Sequence, residues 1–437
     1  MIDTINRDRM IQTLQSLIRQ PSVSATGEGI QECVNLIHDT LHESGINAKT
    51  LYMEGHAPLV YGEIDGDHPK TILFYNHYDV QPAEPLELWE HPPFGGSIQD
   101  GKVYGRGATD DKGELVARIE AVRSLAESGN LHCNVKFVIE GDEENGSRGI
   151  PSYLKRYGSM LKCDGVVWEF GYVDNNDTPI VGLGMKGMLY MTLRARGPRR
   201  DIHSGMAPII QNPIWRIVGA LSVLASPTGR VTIPNWYRDA QPLTQDEIDI
   251  VDDMPFDEDA LKDELGISKF IQEGKSVKRE LVDVATCNIA GIVSGYTGEG
   301  TKTVLPSAAT AKLDMRLLPG MVPDVQLRML REHLYRCGFG DVKTNAEHGQ
   351  RGIRAPPSHP FVQAVRNAVD ATYGRHILNV MYPETGPIWQ FSDTLKVPCV
   401  LVGGTHIQSR IHSPNEFARI DLLEKTADTM VNLLNTI

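Results

Sequence analysis

Three short apolar runs, Thr71–His77, Asn134–Ile139 and Gly165–Trp168, are each long enough for a strand and too short for a helix. Being apolar on both alternating sides, they read as strands buried on two faces, which is how strands of a parallel sheet read. Between the first two, Leu115, Ile119, Val122 and Ala126 recur at helical spacing, and Gly129 closes that helix. Strand, helix, strand in this order predicts an α/β fold, a mostly parallel sheet covered by helices. Ligands of such sheets gather beyond the carboxyl ends of the strands. Those ends here carry His77, the pair Glu143 and Glu144, and Glu169.

A chain of 437 residues exceeds what one hydrophobic core serves, so at least two domains are expected. Helices are predicted for Met10–Ile18, stopped by Pro21, and for Ile30–Ser44, stopped by Gly45. From Gly187 the texture changes. Met188–Ala195, Ala285–Val293 and Ala309–Leu317 read as strands, Asn212–Ala225 and Pro323–Cys337 as helices. That order fits a small α+β, ferredoxin-like sandwich inserted into the first domain. Between them, Arg238–Lys275 is acidic and poor in strand signal, which predicts a solvated excursion of short helices. After Pro356-Pro357 the α/β texture returns, with a helix Pro360–Tyr373, a strand Val397–Val402 and a closing helix through Leu422, Met430 and Leu434. The expected domains are therefore 1–186 with 355–437, and 187–354.

A net charge of −13 excludes a general affinity for nucleic acid or for an anionic membrane surface, both of which need basic patches. The longest apolar run, Ile217–Ala225, is far short of the roughly 20 residues of a membrane helix. No secretory signal is read in the opening Met-Ile-Asp-Thr-Ile-Asn-Arg. Six scattered cysteines without a Cys-x-x-Cys pair are expected to be reduced and mostly buried, so the expectation is a cytoplasmic protein. A nucleotide site is not indicated. Gly105-Arg-Gly107 lacks the third glycine of a dinucleotide fingerprint, and no Gly-Lys-Ser/Thr phosphate loop occurs.

Taken singly, the polar residues at the strand ends have ordinary readings: a lone histidine is usually hydrogen-bonded, and Glu-Glu or Asp-Asp usually marks a solvated turn. Taken together, His77 and Asp79, Asp110 and Asp111, Glu143 and Glu144, Glu169, and His412 offer the imidazole and carboxylate groups that zinc and similar divalent ions prefer. Two histidines and three carboxylates suffice for two ions if one carboxylate bridges. Two metals roughly 3.5–4 Å apart can share a hydroxide and clamp a substrate carbonyl oxygen. Glu143, beside Glu144 and pointing elsewhere, can then serve as the base.

The segments His77-Tyr-Asp79, Gly105-Arg-Gly-Ala-Thr-Asp-Asp-Lys-Gly113, Gly141-Asp-Glu-Glu144, Asp201-Ile-His-Ser-Gly205, Thr303-Val-Leu-Pro306 with Arg316, and His412-Ser-Pro-Asn-Glu416 occur in this order over nearly the whole chain. In them the sequence resembles the co-catalytic zinc exopeptidases and deacylases: aminoacylase, carnosinase, cytosolic dipeptidase, glutamate carboxypeptidase and succinyl-diaminopimelate desuccinylase. The resemblance implies two divalent metal ions, zinc first, with manganese or cobalt as alternatives. It implies that His77, Asp110 and Glu169 hold one ion and Asp110, Glu144 and His412 the other, with Asp110 bridging and a cis peptide between Asp110 and Asp111. Asp79 would orient His77, and Glu143 would take the proton of a water held between the metals. In the inserted domain, which would serve as lid and dimerisation domain, His203 would polarise the scissile carbonyl, in dimeric members from the partner subunit. Arg316 would pair with the substrate carboxylate, with Thr303 and Gly386 nearby.

The activity implied is metal-dependent hydrolysis of an amide bond in dipeptides or short peptides; the alternative is an N-acyl amino acid deacylase. The substrate would be a small peptide or N-acyl amino acid, and the protein a homodimer. Two departures bear on the choice. Glu169 stands where dipeptidase branches generally carry Asp, and Glu384-Thr-Gly-Pro-Ile388 stands where many dipeptidases have a Gly-Gly-Ser-Ile-Pro-like loop. A catalytically dead scaffold of the same fold would lack a ligand or the base, and none is missing.

Overall fold

The computed structural model describes residues 5–271 and 276–437. Outside it lie the first four residues of the opening stretch and 272–275 at the end of the acidic excursion. The chain divides into two compact units: Met1–Gly184 with Ala355–Val380 and Gln390–Ile437, and Met185–Arg354 with Met381–Trp389. The short segment 381–389, expected to continue the first domain, falls with the second unit.

The first unit is built on an eight-stranded sheet in the order Asn47–Leu51, Leu59–Ile64, Cys133–Glu140, His68–His77, Gly165–Trp168, Cys399–Leu401, Ile180–Gly182, Ile377–Asn379. Its centre is parallel: His68–His77 pairs in parallel with Cys133–Glu140 and with Gly165–Trp168, which in turn pairs in parallel with Cys399–Leu401. The flanking pairs Asn47–Leu51 with Leu59–Ile64, and Leu59–Ile64 with Cys133–Glu140, are antiparallel. Four adjacent strands thus end on one side, and three of them lead into candidate residues: His77, Glu143 with Glu144, and Glu169. Tyr75 and Trp168, on neighbouring strands, stack with ring centroids 3.7 Å apart, a contact worth about 0.5–1.5 kcal/mol beyond the area it buries.

The helix Lys112–Ser128 packs between this sheet and the helices Arg7–Arg19 and Ile420–Thr436. It is therefore buried nearly all round, and Lys112, Glu114, Arg118 and Glu120 are buried with it. A buried charge needs partners. Lys112 Nζ donates to the carbonyls of Leu17 and Gln20, both at 2.9 Å, so it satisfies carbonyls that the end of the first helix leaves open. Gly129 closes the Lys112–Ser128 helix in the left-handed conformation, φ +72°, as its position in the sequence implies.

In the second unit a four-stranded antiparallel sheet runs Thr286–Ser294, Ala308–Leu317, Gly187–Arg196, Lys343–Gln350. Leu189, Met191, Leu193 and Ala195 of one central strand, and Ala309, Ala311, Leu313, Met315 and Leu317 of the other, point into the core. The helices Pro213–Leu224 and Pro323–Arg336 pack with these strands. Chain order strand-helix-strand-strand-helix-strand with this spatial order is the ferredoxin-like arrangement. Its last strand, Lys-Thr-Asn-Ala-Glu-His-Gly-Gln, has no apolar face to announce it and sits at an edge. The acidic excursion holds the helices Gln245–Asp253 and Glu258–Leu265, with Val277–Asp283 just after it, and Glu247 in it is buried against Arg354 Nε at 2.6 Å. No helix among the described residues is long and apolar enough to cross a membrane. All six cysteines are free; Cys33, Cys133, Cys287 and Cys399 are buried, and Cys337 is exposed.

Candidate metal centre

The strand His68–His77 delivers a fully buried His77 to its carboxyl end. The ring is fixed on one side, where Nδ1 lies 3.0 Å from the backbone carbonyl of Asp79. That contact makes Nδ1 the donor and leaves Nε2 as the lone-pair side. The Asp79 carboxylate has another task. Its two oxygens accept the backbone N–H groups of Glu143 (3.1 Å) and Glu144 (3.0 Å), and its nearer oxygen is 3.5 Å from His77 Nδ1.

The loop Gly105–Gly113 brings in Asp110. Gly107 has φ +81°, and a Cβ there would come within 2.6 Å of Val80, so the turn admits only glycine. The buried carboxylate of Glu416 gathers the loop, accepting from the backbone N–H of Gly107 (3.1 Å), Thr109 (3.1 Å) and Asp110 (3.2 Å) and from Arg106 Nη1 (2.8 Å). The Asp110–Asp111 peptide is cis. Asp111 turns away from Asp110, and its Oδ2 accepts from Asn76 Nδ2 (2.7 Å) and from the His77 backbone N–H (3.2 Å).

Asp110 then spreads its two oxygens over two histidines: Oδ1 lies 3.0 Å from His77 Nε2, and Oδ2 lies 3.1 Å from His412 Nε2. His412 Nε2 is also 3.1 Å from Glu144 Oε2, which accepts from Gln81 Nε2 at 2.8 Å. Candidate ligand atoms of Asp110, Glu144 and His412 all lie within 4.8 Å of one another. His412 holds a positive φ of 56°, uncommon for a residue with a side chain. Glu169 is buried at the end of the Gly165–Trp168 strand, and its Oε2 has no hydrogen-bond partner among the described residues.

Charge is concentrated here. Burial drives the Glu143 carboxyl well above its ordinary range, and Glu169 adds to it. Glu169 is likewise driven up by burial, with Asp111 and Asp110 adding repulsion. Burial would raise Asp110 too, but His412 and His77 hold it below the ordinary range. Burial pulls His77 down, yet its contacts with Asp110 and Asp79 carry it well above the ordinary imidazole value. His412 is raised to about 10 by Asp110 and then Glu144. A metal-free site of this kind takes up protons to offset its negative charge. Divalent cations would do the same without them.

The residues fit such ions. Two nitrogen or oxygen ligands of one tetrahedral zinc at about 2.0–2.1 Å stand roughly 3.3 Å apart, close to the 3.0–3.1 Å separations of the Asp110–His77, Asp110–His412 and Glu144–His412 pairs. The unpartnered Glu169 oxygen is a further open donor position.

Of the residues read from the sequence, the first unit brings together His77, Asp79, Asp110, Glu143, Glu144, Glu169 and His412. The other four lie in the second unit as two pairs. His203 Nε2 is 3.4 Å from Thr303 Oγ1, where the strands Ile202–His203 and Val304–Leu305 pair, and its Nδ1 accepts from Gly205 N at 3.0 Å. Arg316 donates to Thr385 Oγ1 (2.9 Å) and Asp314 Oδ2 (3.1 Å), with Gly386 next in the chain. Three residues escaped the sequence reading. Glu416 was visible as the end of the His412–Glu416 segment but without a task; Gln81 and Arg118 carried no signal.

The family model for peptidase family M20/M25/M40 matches residues 73–436. The crystal structure of an M20 family metallo-carboxypeptidase from Sulfolobus solfataricus is similar at TM-score 0.90 and 34% identity, covering 98% of this chain and 99% of that one. Human carnosine dipeptidase 1 is similar at TM-score 0.77 and 25% identity, covering 98% and 96%. The Cys-Gly metallodipeptidase dug1 of Schizosaccharomyces pombe is 29% identical over 380 residues, 83% of this chain and 79% of that protein. With a match across most of its length, the chain belongs to peptidase family M20/M25/M40 and is a metal-dependent peptidase.

Proposed function

We propose that this peptidase hydrolyses the amide bond of dipeptides or short peptides with a free carboxylate, using two divalent metal ions, zinc first, with manganese or cobalt as alternatives. The observation that carries the reading is Asp110, one oxygen on His77 and the other on His412, the disposition of a bridging ligand. His77, Asp110 and Glu169 would hold one ion, and Asp110, Glu144 and His412 the other. Such a pair, when bound, polarises the scissile carbonyl and acidifies water. Glu143 takes the water's proton on its carboxylate and passes it to the leaving amine. Asp79 holds the Glu143–Glu144 turn by its two backbone bonds, so that the base and its neighbour as ligand keep separate directions.

By the resemblance, His203 steadies the carbonyl oxygen as its charge develops, and Arg316 takes the substrate carboxylate as a fork, with Thr303 and Gly386 beside them. The deacylase reading, which Glu169 favoured, is the weaker one: relatives spanning most of the chain are named Cys-Gly and Beta-Ala-His dipeptidases. Six unpaired cysteines support a cytoplasmic location.

A substrate panel tests the reading: Xaa-Yaa dipeptides including Cys-Gly and β-Ala-His, N-blocked peptides with a free C-terminus, and N-acetyl amino acids, each before and after chelation and metal return. Peptide turnover that chelation abolishes and zinc restores is expected. Turnover confined to N-acetyl amino acids, or indifferent to chelation, would overturn it.

A further inference from the structure

Arg118 lies in the middle of the Lys112–Ser128 helix and is fully buried. A guanidinium in that position has five N–H donors; those of Nη1 and Nη2 go to the ends of the strands, while Nε has no partner among the described residues. Nη1 donates to the Tyr75 carbonyl (2.8 Å) and to Asn76 Oδ1 (3.1 Å). Nη2 donates to the carbonyls of Trp168 and Glu169, both at 2.7 Å, and reaches that of Val402 at 3.3 Å. Three neighbouring parallel strands, or the residues that leave them, are thereby tied to one side chain.

The contacts fall beside the candidate ligands. Asn76 precedes His77, and Trp168 precedes Glu169, whose own carbonyl is also held. The Asn76 contact goes further. With its oxygen on Arg118, the amide must turn its NH2 group the other way, where it donates to Asp111 Oδ2 at 2.7 Å. The same oxygen accepts the His77 backbone N–H, and Asp111 is the residue after Asp110. Hydrogen bonds therefore run from Arg118 directly to the backbone of Glu169, and through Asn76 to the side chain of Asp111, which holds the backbone of His77 and follows Asp110 in the chain.

We propose that Arg118 is a positioning residue for the metal centre, setting through Asn76 and the strand-end carbonyls the directions in which His77, Asp110 and Glu169 converge. The proposal rests on reading those three residues as the ligands of one ion. Groups that orient metal ligands from behind typically contribute about 10- to 100-fold in metal affinity or activity. Lysine would not substitute well, since its single ammonium lacks the planar fork that spans two strands.

The test is a zinc titration of the full chain at buffered free metal, counting bound metal directly and following the thermal melt. Arg118→Met, Arg118→Lys and Asn76→Ala should melt cooperatively and bind one of two zinc ions about 10- to 100-fold more weakly than wild type. Their kcat should recover in excess zinc further than that of Glu143→Gln. Asn76→Ala breaks the relay without touching the buried charge, and so decides the matter if the arginine variants do not fold. Wild-type affinity for both ions in these variants would overturn the positioning role, and so would loss of folding in all three that excess zinc does not repair. His77→Ala and Glu169→Ala run in parallel. If they too keep both ions at wild-type affinity, the ligand reading itself has failed, which is a different outcome from failure at Arg118 alone.

Discussion

Glu143 and Glu144 are consecutive and chemically identical, yet they stand in different surroundings. Glu144 Oε2 meets His412 and Gln81, while Glu143 is driven by burial to hold its proton more tightly than an ordinary carboxyl. Glu143→Gln should therefore keep two bound metals and lose about 10²- to 10⁴-fold in kcat, the usual contribution of a general base; metal analysis and steady-state rates on the same sample check both halves. Asp79→Asn bears on a different point. An amide has one acceptor oxygen where Asp79 uses two, so one backbone N–H of the Glu143–Glu144 turn is left facing an NH2 group. Activity or metal affinity should fall by about 10- to 100-fold, while Asp79→Glu, which keeps both oxygens, should recover part of it. Equal losses in the two variants would mean that neither a second acceptor oxygen nor a negative charge is enough without the reach of the aspartate side chain, and the turn-holding role would have to be sought in its length alone. The sequence displayed these residues because ligands must stand where strands end. It could not display which oxygen of Asp79 does what, because that depends on residues 64 and 65 positions away.

Among the elements, the helix Lys112–Ser128 shows where periodicity succeeds and where it runs out. Leu115, Ile119 and Val122 mark one face, and the structure buries them. Val116, Ala121 and Leu125 are buried as well, because helices cover the side away from the sheet. A single apolar stripe identifies a helix but cannot report a second layer packed over it. Strand Lys343–Gln350 escaped for the opposite reason: at an edge of its sheet, it needs no apolar alternation. Lys112 belongs to the conspicuous Asp-Asp-Lys-Gly sequence, yet its ammonium points away to the end of the first helix. Lys112→Met should leave the Leu17 and Gln20 carbonyls unsatisfied, at about 1–3 kcal/mol for each buried group. The expected result is a lowered urea midpoint with both metals still bound. A large loss of metal with unchanged stability would show that Lys112 serves the centre instead.

At the scale of the whole molecule, the second unit exposes apolar side chains on one edge strand and one helix. On the edge strand Thr286–Ser294, Ile292 and Val293 are 50% and 77% exposed, and Trp215 on the helix Pro213–Leu224 is 72% exposed. An edge strand with apolar side chains and an open row of backbone groups pairs readily with another chain, and a two-fold dimer would let the same patch cover itself. The dimer expected from the resemblance would use this face. Sedimentation should give a species of twice 48.4 kDa, and Val293→Lys should shift it towards 48.4 kDa, because a charge directed into such an interface goes unpaired. If His203 then serves the partner's site, neither Glu143→Gln nor His203→Ala is active alone, but mixed dimers of the two contain one site with both residues intact. Half of randomly assorted dimers are mixed, so mixing should restore roughly a quarter of wild-type activity. No recovery on mixing, after exchange of subunits has been verified, would place His203 with the site of its own chain. A wild-type protein that sediments as a monomer and turns over at full rate would remove the dimer from the mechanism altogether.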